Sequence, residues 1–231
     1  KIAAELSPGS GRLADIPQSG QWPAPSASET GVFMAPDLKT RPLTKDEIKE
    51  LVEYFGQAAN RVMRAGFDAL YIHANSYLID QFLSSCWNQR TDEYGGSLEN
   101  RFRFLKECYE SARKMTSPDY PMIFGFSMDH QFEGGRTLEE SIEIAKLAEQ
   151  LDFDAFHVRN GCYDAMDGLI SNAHYPDAMV LDNLAKFRKE IKTPLITDGR
   201  FGDPDLIAQT LNENKVEVIG MARSLMTDAE W

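Results

Sequence analysis

Three polar side chains lie close together where a strand-like run ends. The run covers residues 70–74, and His73, Asn75 and Tyr77 sit at or just beyond its end. A neutral imidazole and a carboxamide both carry N–H groups that polarise a carbonyl oxygen and stabilise negative charge. A tyrosine hydroxyl, with a pKa of about 10, is a proton donor rather than a base at neutral pH. A carbonyl clamp beside a proton donor suits addition across an activated C=C bond; the alternative is a hydrogen-bonded buried histidine beside a packed tyrosine.

Other polar residues recur at the ends of strand-like runs. They are Ser7, Asp129, Arg159, Asp198 and Arg223. In (β/α)8 barrels the active site is built at the C-terminal ends of the strands. The distribution therefore predicts one site assembled from the ends of several parallel strands.

The elements that must position these residues alternate between strands and helices. Runs rich in β-branched and aromatic residues predict strands at 2–6, 70–74, 122–128, 155–158, 195–197 and 216–221. Amphipathic helices are predicted at 44–65, 98–114, 137–148, 178–190 and 204–212. Two pairs, Thr44 with Glu47 and Thr137 with Glu140, have the spacing of capping boxes at helix starts.

This alternation predicts an α/β fold with parallel strands. A doubly wound sheet and a (β/α)8 barrel both fit it, and the polar residues at strand ends favour the barrel. The runs are two short of a barrel's eight strands, and 231 residues are fewer than the roughly 250 of a typical barrel. The sequence therefore predicts a TIM (β/α)8 barrel of which this chain covers about six βα units.

Composition argues against several classes of partner. With 24 Lys and Arg against 36 Asp and Glu, the net charge is −12 and no basic patch stands out, so we expect no binding to nucleic acid. No apolar run approaches the roughly 20 residues of a membrane span. The cysteines, Cys86, Cys108 and Cys162, lack metal-site spacing. They predict no metal site, free thiols and a cytoplasmic location.

Residues 8–42 form a long segment rich in proline, glycine and serine that includes Trp22. Connections this long are usually functional, so we expect a loop over the site, with a disordered linker as the alternative. Trp22 and the apolar residues Phe82, Leu83 and Trp87 suggest a roomy hydrophobic pocket for an acyl or sterol-like substrate. Phe82 and Leu83 also fit a plain core position.

One long motif resembles a known family. Residues 88–101, Asn-Gln-Arg-Thr-Asp-Glu-Tyr-Gly-Gly-Ser-Leu-Glu-Asn-Arg, are similar to the signature of the old yellow enzyme family of FMN-dependent oxidoreductases. The similarity is greatest to the branch of 2-enoate reductases, 2,4-dienoyl-CoA reductases and trimethylamine dehydrogenase. Shorter stretches resemble the family in the same order, at residues 6–12, 41–48, 133–135, 198–201 and 219–228. The resemblance covers essentially the whole chain, which it identifies as one FMN-binding barrel domain at residues 1–231.

The resemblance implies an enzyme that holds FMN at the C-terminal face of its strands. NAD(P)H would reduce the flavin, which passes hydride to an activated C=C bond of a small enone or enoyl substrate. His73 and Asn75 would bind the substrate carbonyl oxygen, and Tyr77 would protonate the α-carbon. Glu5 falls where the family has a glutamine at the flavin pyrimidine edge. The FMN phosphate would be bound by Gly199, Arg200, Ala222 and Arg223, in the turns after the last two strands.

The resemblance also places the start of the chain at the family's third strand and its end just after the eighth, as part of a longer protein. A C-terminal extension with a 4Fe-4S cluster and FAD, where the family has one, would lie outside it. Three features depart from the family pattern. Only Ala74 separates His73 from Asn75, one residue fewer than usual. Pro8 replaces a histidine, and Gly125 takes the position of an arginine beneath the flavin.

The sequence leaves three functions open. The first is an ene-reductase, and the second is an oxidative flavin dehydrogenase of the same branch. The third is a barrel without flavin that has a structural or binding role, which Gly125 and Glu5 favour. Whether the chain forms a homo-oligomer is also left open.

Overall fold

Six parallel strands form the central sheet of the protein. The structure is a computed structural model that describes residues 1–14, 25–228 and 230–231. The strands are β1 (Ala3–Leu6), β2 (Ala69–His73), β3 (Met122–Asp129), β4 (Ala155–Asn160), β5 (Leu195–Thr197) and β6 (Val218–Ile219). Each pairs in parallel with the next along the chain, so β1 and β6 are the two edges. The prediction of a partial (β/α)8 barrel with about six units is confirmed.

Side chains along each strand alternate between the two faces of the sheet. In β2, Leu70 and Ile72 are fully buried against the helices, whereas Tyr71 and His73 lie on the opposite face and are partly exposed. In β4, Phe156 belongs to the helix side and His157 to the inner side. The helix-facing residues form one hydrophobic core. The polar side chains of Tyr71, His73 and His157 lie on the inner face.

Eight α-helices are present in the described part of the chain. They are α1 (Lys45–Arg64), α2 (Leu78–Leu83), α3 (Leu98–Met115), α4 (Leu138–Glu149), α5 (Met166–Leu169), α6 (Leu181–Glu190), α7 (Pro204–Asn212) and α8 (Arg223–Thr227). The five long helices match the predicted ones closely. The three short ones were not predicted, because one turn or so is too short to show a helical period. Within the described ranges, no helix is both long and apolar enough to cross a membrane.

The two predicted capping boxes have different outcomes. At the start of α1, Thr44 Oγ1 accepts from Glu47 N at 3.2 Å and the Glu47 carboxylate accepts from Thr44 N at 2.8 Å, which completes the box. At the start of α4, Thr137 Oγ1 accepts from Glu140 N at 3.4 Å. The Glu140 carboxylate, however, pairs with Arg101 on α3. The second box is therefore only half formed, because an ion pair between helices takes its glutamate.

The described part of the segment 8–42 is folded rather than a disordered linker. It contains a 3-10 helix (Gly11–Leu13) and two small strand pairs, Pro25–Ser26 with Arg41–Pro42 and Gly31–Val32 with Ala35–Lys39. Ala27 and Val32 are buried in it. Trp22, to which a role in a substrate pocket was assigned, lies outside the described residues.

Candidate active site

The inner face of the sheet carries a cluster of polar side chains near the C-terminal ends of the strands. We call the following residues the interior cluster: Glu5, Tyr71, His73, His157, Arg159 and Asp198. They come from β1, β2, β4 and the residue after β5. Because these strands are parallel and in sequential order, residues far apart in the chain meet at one end of the barrel.

His73 lies between a carboxylate and a backbone carbonyl. Its Nε2 atom is 3.1 Å from the carbonyl oxygen of Asn75, an acceptor, so Nε2 carries the hydrogen. Its Nδ1 atom is 3.3 Å from a carboxylate oxygen of Glu5, within ion-pair distance but without hydrogen-bond geometry. Burial lowers the pKa of His73, and the nearby carboxylate opposes that shift. The N–H of the neutral ring is thus committed to the loop that carries Asn75.

Asn75 is buried and retains an unused donor. Its Oδ1 atom accepts from the hydroxyl of Ser76 at 2.9 Å, and that hydroxyl accepts in turn from the backbone N–H of Tyr163 at 3.0 Å. Its Nδ2 atom is buried and has no hydrogen-bond partner among the described residues. A buried donor without a partner costs about 1–3 kcal/mol. Such a group is well suited to donate to a carbonyl oxygen supplied by a ligand.

Tyr77 lies at the start of α2 with its ring among other rings. It meets His73 edge to face at a centroid distance of 5.0 Å and Tyr163 at 6.0 Å. Ser76, which precedes it, has a φ of 66°, a left-handed conformation that turns the chain between Asn75 and Tyr77. The structure therefore brings the three residues of the predicted catalytic group together around one turn.

A buried ionic network supports this turn, and sequence reasoning did not find it. Asp80, fully buried on α2, accepts from the backbone N–H of Ser76 at 2.6 Å, from Arg136 at 2.5 Å and from His130 at 3.2 Å. Burial alone would raise the pKa of Asp80, but Arg136 and His130 hold it well below its usual range. Arg136 also donates to the carbonyl of Ser127 on β3 at 2.9 Å. The network ties the turn that carries Asn75 and Tyr77 to β3.

A second chain of polar contacts runs through the interior cluster. The Tyr71 hydroxyl is 3.0 Å from Nδ1 of His157, whose Nε2 is 3.1 Å from Asp198. Burial raises the pKa of Tyr71 far above neutrality, so its hydroxyl is the donor. Burial opposes ionisation of Asp198, yet its pKa is lowered by His157 and by Arg159, whose guanidinium nitrogen lies 3.0 Å from the carboxylate. Only Arg159 and Asp198 of this chain were recognised from the sequence, because they follow strand ends.

Gly125 lies beneath this chain and has no room for a side chain. A Cβ atom added there would fall 1.8 Å from the hydroxyl oxygen of Tyr71. Such a distance is far inside van der Waals contact, so the tyrosine occupies the space that a larger residue at position 125 would need.

The four residues predicted to bind a phosphate surround one cavity. The cavity measures about 550 Å³, and Gly199, Arg200, Ala222, Arg223 and Asp198 are among its lining residues. Arg223 donates to the carbonyl of Ser171 at 2.8 Å and has no carboxylate partner among the described residues, whereas Arg200 is paired with Asp177 at 2.7 Å. Gly199 has a φ of 120° with open space beside it. These features fit a phosphate group, because arginine and free backbone N–H groups are its usual ligands. Glu5 lies apart from this cavity, on β1.

A flavin ring can also be accommodated by the chemistry of the interior cluster. The pyrimidine edge of a flavin offers one N–H donor between two carbonyl acceptors. The exposed carboxylate of Glu5 can accept from that N–H, and the guanidinium of Arg159 is a donor for the carbonyls. The residues present therefore fit FMN at both its phosphate and its ring.

Of the residues proposed for a hydrophobic pocket, the three that the structure describes do not line one. Phe82 and Leu83 are fully buried in the core. Trp87 is 5% exposed, and the guanidinium of Arg12 lies 5.0 Å from the centroid of its ring. This prediction was wrong because a run of apolar residues on a short helix has no period that separates core from pocket.

Comparisons with known proteins agree with this fold. Cinnamate reductase of Clostridium sporogenes is 35% identical over 246 residues, which cover 100% of this chain and 37% of that protein. The solved complex of 2-naphthoyl-CoA reductase with 2-naphthoyl-CoA superimposes with a TM-score of 0.81 and 31% identity, over 89% of this chain and 31% of the other. Histamine dehydrogenase from Rhizobium sp. 4-9 superimposes with a TM-score of 0.86 and 27% identity, over 98% and 33%.

The chain thus spans about a third of the length of these relatives. The match to the family itself covers residues 6–231 and is described as NADH:flavin oxidoreductase / NADH oxidase. This agrees with the resemblance drawn from residues 88–101. The chain belongs to the NADH:flavin oxidoreductase / NADH oxidase family.

Proposed function

We propose that this chain is the barrel of an FMN-dependent NAD(P)H oxidoreductase that reduces an activated C=C bond next to a carbonyl group. The observation that carries the proposal is the buried, unpartnered amide of Asn75 beside Tyr77. Both residues lie at the same end of the barrel as the arginine-lined cavity. A carbonyl clamp, a proton donor and a phosphate site at one end of a parallel sheet form a consistent site for this chemistry.

The residues that would hold FMN belong to two regions. The turns after β5 and β6 would bind its phosphate through Arg223, Arg200 and the backbone N–H groups around Gly199 and Ala222. Glu5 would accept a hydrogen bond from the N–H of the pyrimidine edge. When bound, FMN would supply the hydride that NAD(P)H provides to the reaction.

Asn75 and Tyr77 have distinct parts in the reaction. The Nδ2 group of Asn75 would donate to the substrate carbonyl oxygen, which gains negative charge as the C=C bond is reduced. Removing one such donor usually costs about 10²–10³ in rate. Tyr77 would give its hydroxyl proton to the α-carbon, a contribution of about 10²–10⁴. His73 positions the clamp by donating to the backbone carbonyl of Asn75.

The relatives support a conjugated acyl substrate. Cinnamate reductase and 2-naphthoyl-CoA reductase are both named for substrates with a C=C bond conjugated to a carbonyl group. A second candidate is an oxidative dehydrogenase, which the likeness to histamine dehydrogenase favours. The two candidates differ in whether the full-length protein passes electrons to an enoate or takes them from an amine.

The experiment uses the full-length protein that contains this chain. Anaerobic NADH should bleach the visible absorption of bound flavin, and added cinnamate should restore it. Tyr77→Phe should slow the restoration by about 10²–10⁴ without slowing the bleaching. Tyr54→Phe is the matched control, because Tyr54 lies exposed on α1 and bonds only to Glu50 among the described residues.

Two outcomes would contradict the proposal. A colourless protein that takes up no added FMN would indicate a barrel without redox chemistry. A flavoprotein that is reduced by histamine and not reoxidised by cinnamate would favour the oxidative candidate.

A further inference from the structure

The Tyr71 hydroxyl fills the inner face of the sheet where Gly125 leaves space. Tyr71 reaches from β2 across β3 to His157 on β4, and its hydroxyl lies 1.8 Å from where a Cβ of residue 125 would be. No cation can therefore project into the interior from position 125 while Tyr71 is present. A bound flavin that gains negative charge on reduction would need its positive partner from another strand.

Arg159 is the arginine of the interior cluster. It is two residues beyond His157 on β4, so both side chains point to the inner face. One of its terminal nitrogens lies 3.0 Å from Asp198 and 3.4 Å from the His157 ring. Its side chain is 24% exposed, so its neighbours do not cover it fully.

Asp198 connects Arg159 to the cavity. The carboxylate that holds Arg159 also lines the cavity around Gly199 and Arg223. A ligand with its phosphate in that cavity would therefore have Arg159 next to the part that extends toward the interior of the sheet. Arg159 also influences the other side of the interior, where its charge opposes the rise that burial causes in the pKa of Tyr71 and adds to the lowering that burial causes in the pKa of His73.

Other charges of the cluster oppose an anionic ligand. Glu5 and Asp198 are carboxylates, and the pKa of His73 is lowered, so that ring does not replace a cation at neutral pH. Among the described residues of the interior cluster, Arg159 is then the permanent positive charge.

We infer that Arg159 on β4 supplies the positive charge that faces the pyrimidine edge of the flavin in this protein, and that the Tyr71 hydroxyl occupies the space above Gly125. The inference rests on the proposed function, since it requires FMN to bind. It assigns a flavin-contacting role to a residue on the strand next to β3. The specific consequence is that Arg159 stabilises reduced FMN more than oxidised FMN.

The test measures the affinity of the full-length protein for FMN and the midpoint potential of the bound flavin. In Arg159→Gln, the affinity for reduced FMN should fall about tenfold more than that for oxidised FMN. For a two-electron couple this lowers the midpoint potential by about 30 mV. Arg159→Lys, which keeps the charge, should recover most of the shift and so separates charge from packing.

Two arginine controls define the specificity of the shift. Arg223→Gln removes a phosphate ligand, so it should weaken both redox states equally and leave the potential unchanged. Arg61→Gln, on the exposed surface of α1, should change neither quantity. A second measurement does not depend on removing Arg159. Asp198→Asn has nearly the same shape and frees the charge of Arg159, so the preference for reduced FMN should rise about tenfold.

The outcomes distinguish this inference from the proposed function. A wild-type protein that takes up no FMN overturns both. If FMN binds and its midpoint potential is unchanged in Arg159→Gln, the inference is wrong and the proposed function still stands. If that variant does not fold, an unchanged potential in Asp198→Asn has the same meaning.

Discussion

The buried pair of Asp80 and Arg136 offers the sharpest test of how the site is held. Arg136 is 2% exposed and Asp80 0%, and no solvent reaches the contact between them. We expect Arg136→Met to be strongly destabilising. It leaves the Asp80 carboxylate buried without its guanidinium partner, in contact with the His130 ring and the backbone N–H of Ser76.

The magnitude follows from the burial. Removing one partner of a buried ion pair typically costs about 3–5 kcal/mol, because the other charge stays desolvated without compensation. The substitution also removes the hydrogen bonds that Arg136 donates to Ser141 and to the carbonyl of Ser127. Removing both charges together, in Asp80→Asn with Arg136→Met, should cost less than the two single changes added, with a coupling of about 0.5–3 kcal/mol.

Urea denaturation of the full-length protein, followed by circular dichroism, measures these differences. Arg64→Met is the matched control, since Arg64 lies exposed at the end of α1 and should change the free energy of unfolding by less than about 0.5 kcal/mol. The reasoning is wrong if Arg136→Met costs less than about 1 kcal/mol, or if the two single changes are additive.

Three further outcomes are expected. The pKa of Asp80 is lower in the folded than in the unfolded protein. Its contribution to the free energy of unfolding is therefore present above a pH of about 4 and is lost as the pH falls through the folded pKa. In acid denaturation, Asp80→Asn should lose less stability over that range than the wild type. Gly125→Ala should lower the free energy of unfolding by about 1–3 kcal/mol through overpacking against Tyr71, and adding Tyr71→Ala should remove most of that specific penalty in thermal denaturation. Thr44→Ala should cost about 0.5–2 kcal/mol in urea denaturation, because it removes the complete capping box of α1, and an unchanged midpoint would contradict the role of that box.

The strands and long helices could be predicted because their signals are local. Helix α1 is specified by an apolar stripe and by Thr44 and Glu47, three residues apart. The sequence also predicted that His73 and Asp198, at the ends of two strands, lie at the same end of the barrel, since parallel strands bring their ends together.

The side-chain contacts that link different elements could not be predicted, because the two residues of each contact are far apart in sequence. Tyr71 and His157 are separated by 86 residues and Asp80 and Arg136 by 56. The sequence around each of these residues gives no indication of which residue it contacts. Phe82 was wrongly predicted to line a pocket. On a helix as short as α2, an apolar residue that packs in the core has the same local sequence pattern as one that lines a pocket.

The close fit of Tyr71 over Gly125 makes the two positions mutually dependent in mutational terms. In a library of single substitutions, every side chain at position 125 meets the same tyrosine ring, so that position should tolerate almost nothing. In a background with alanine at position 71, the same library should become permissive, and arginine at position 125 should be among the residues accepted. Arginine at position 125 on β3 should therefore be tolerated only after Tyr71 has been replaced. The free energy of unfolding of the single variants, made in either order, tests this dependence.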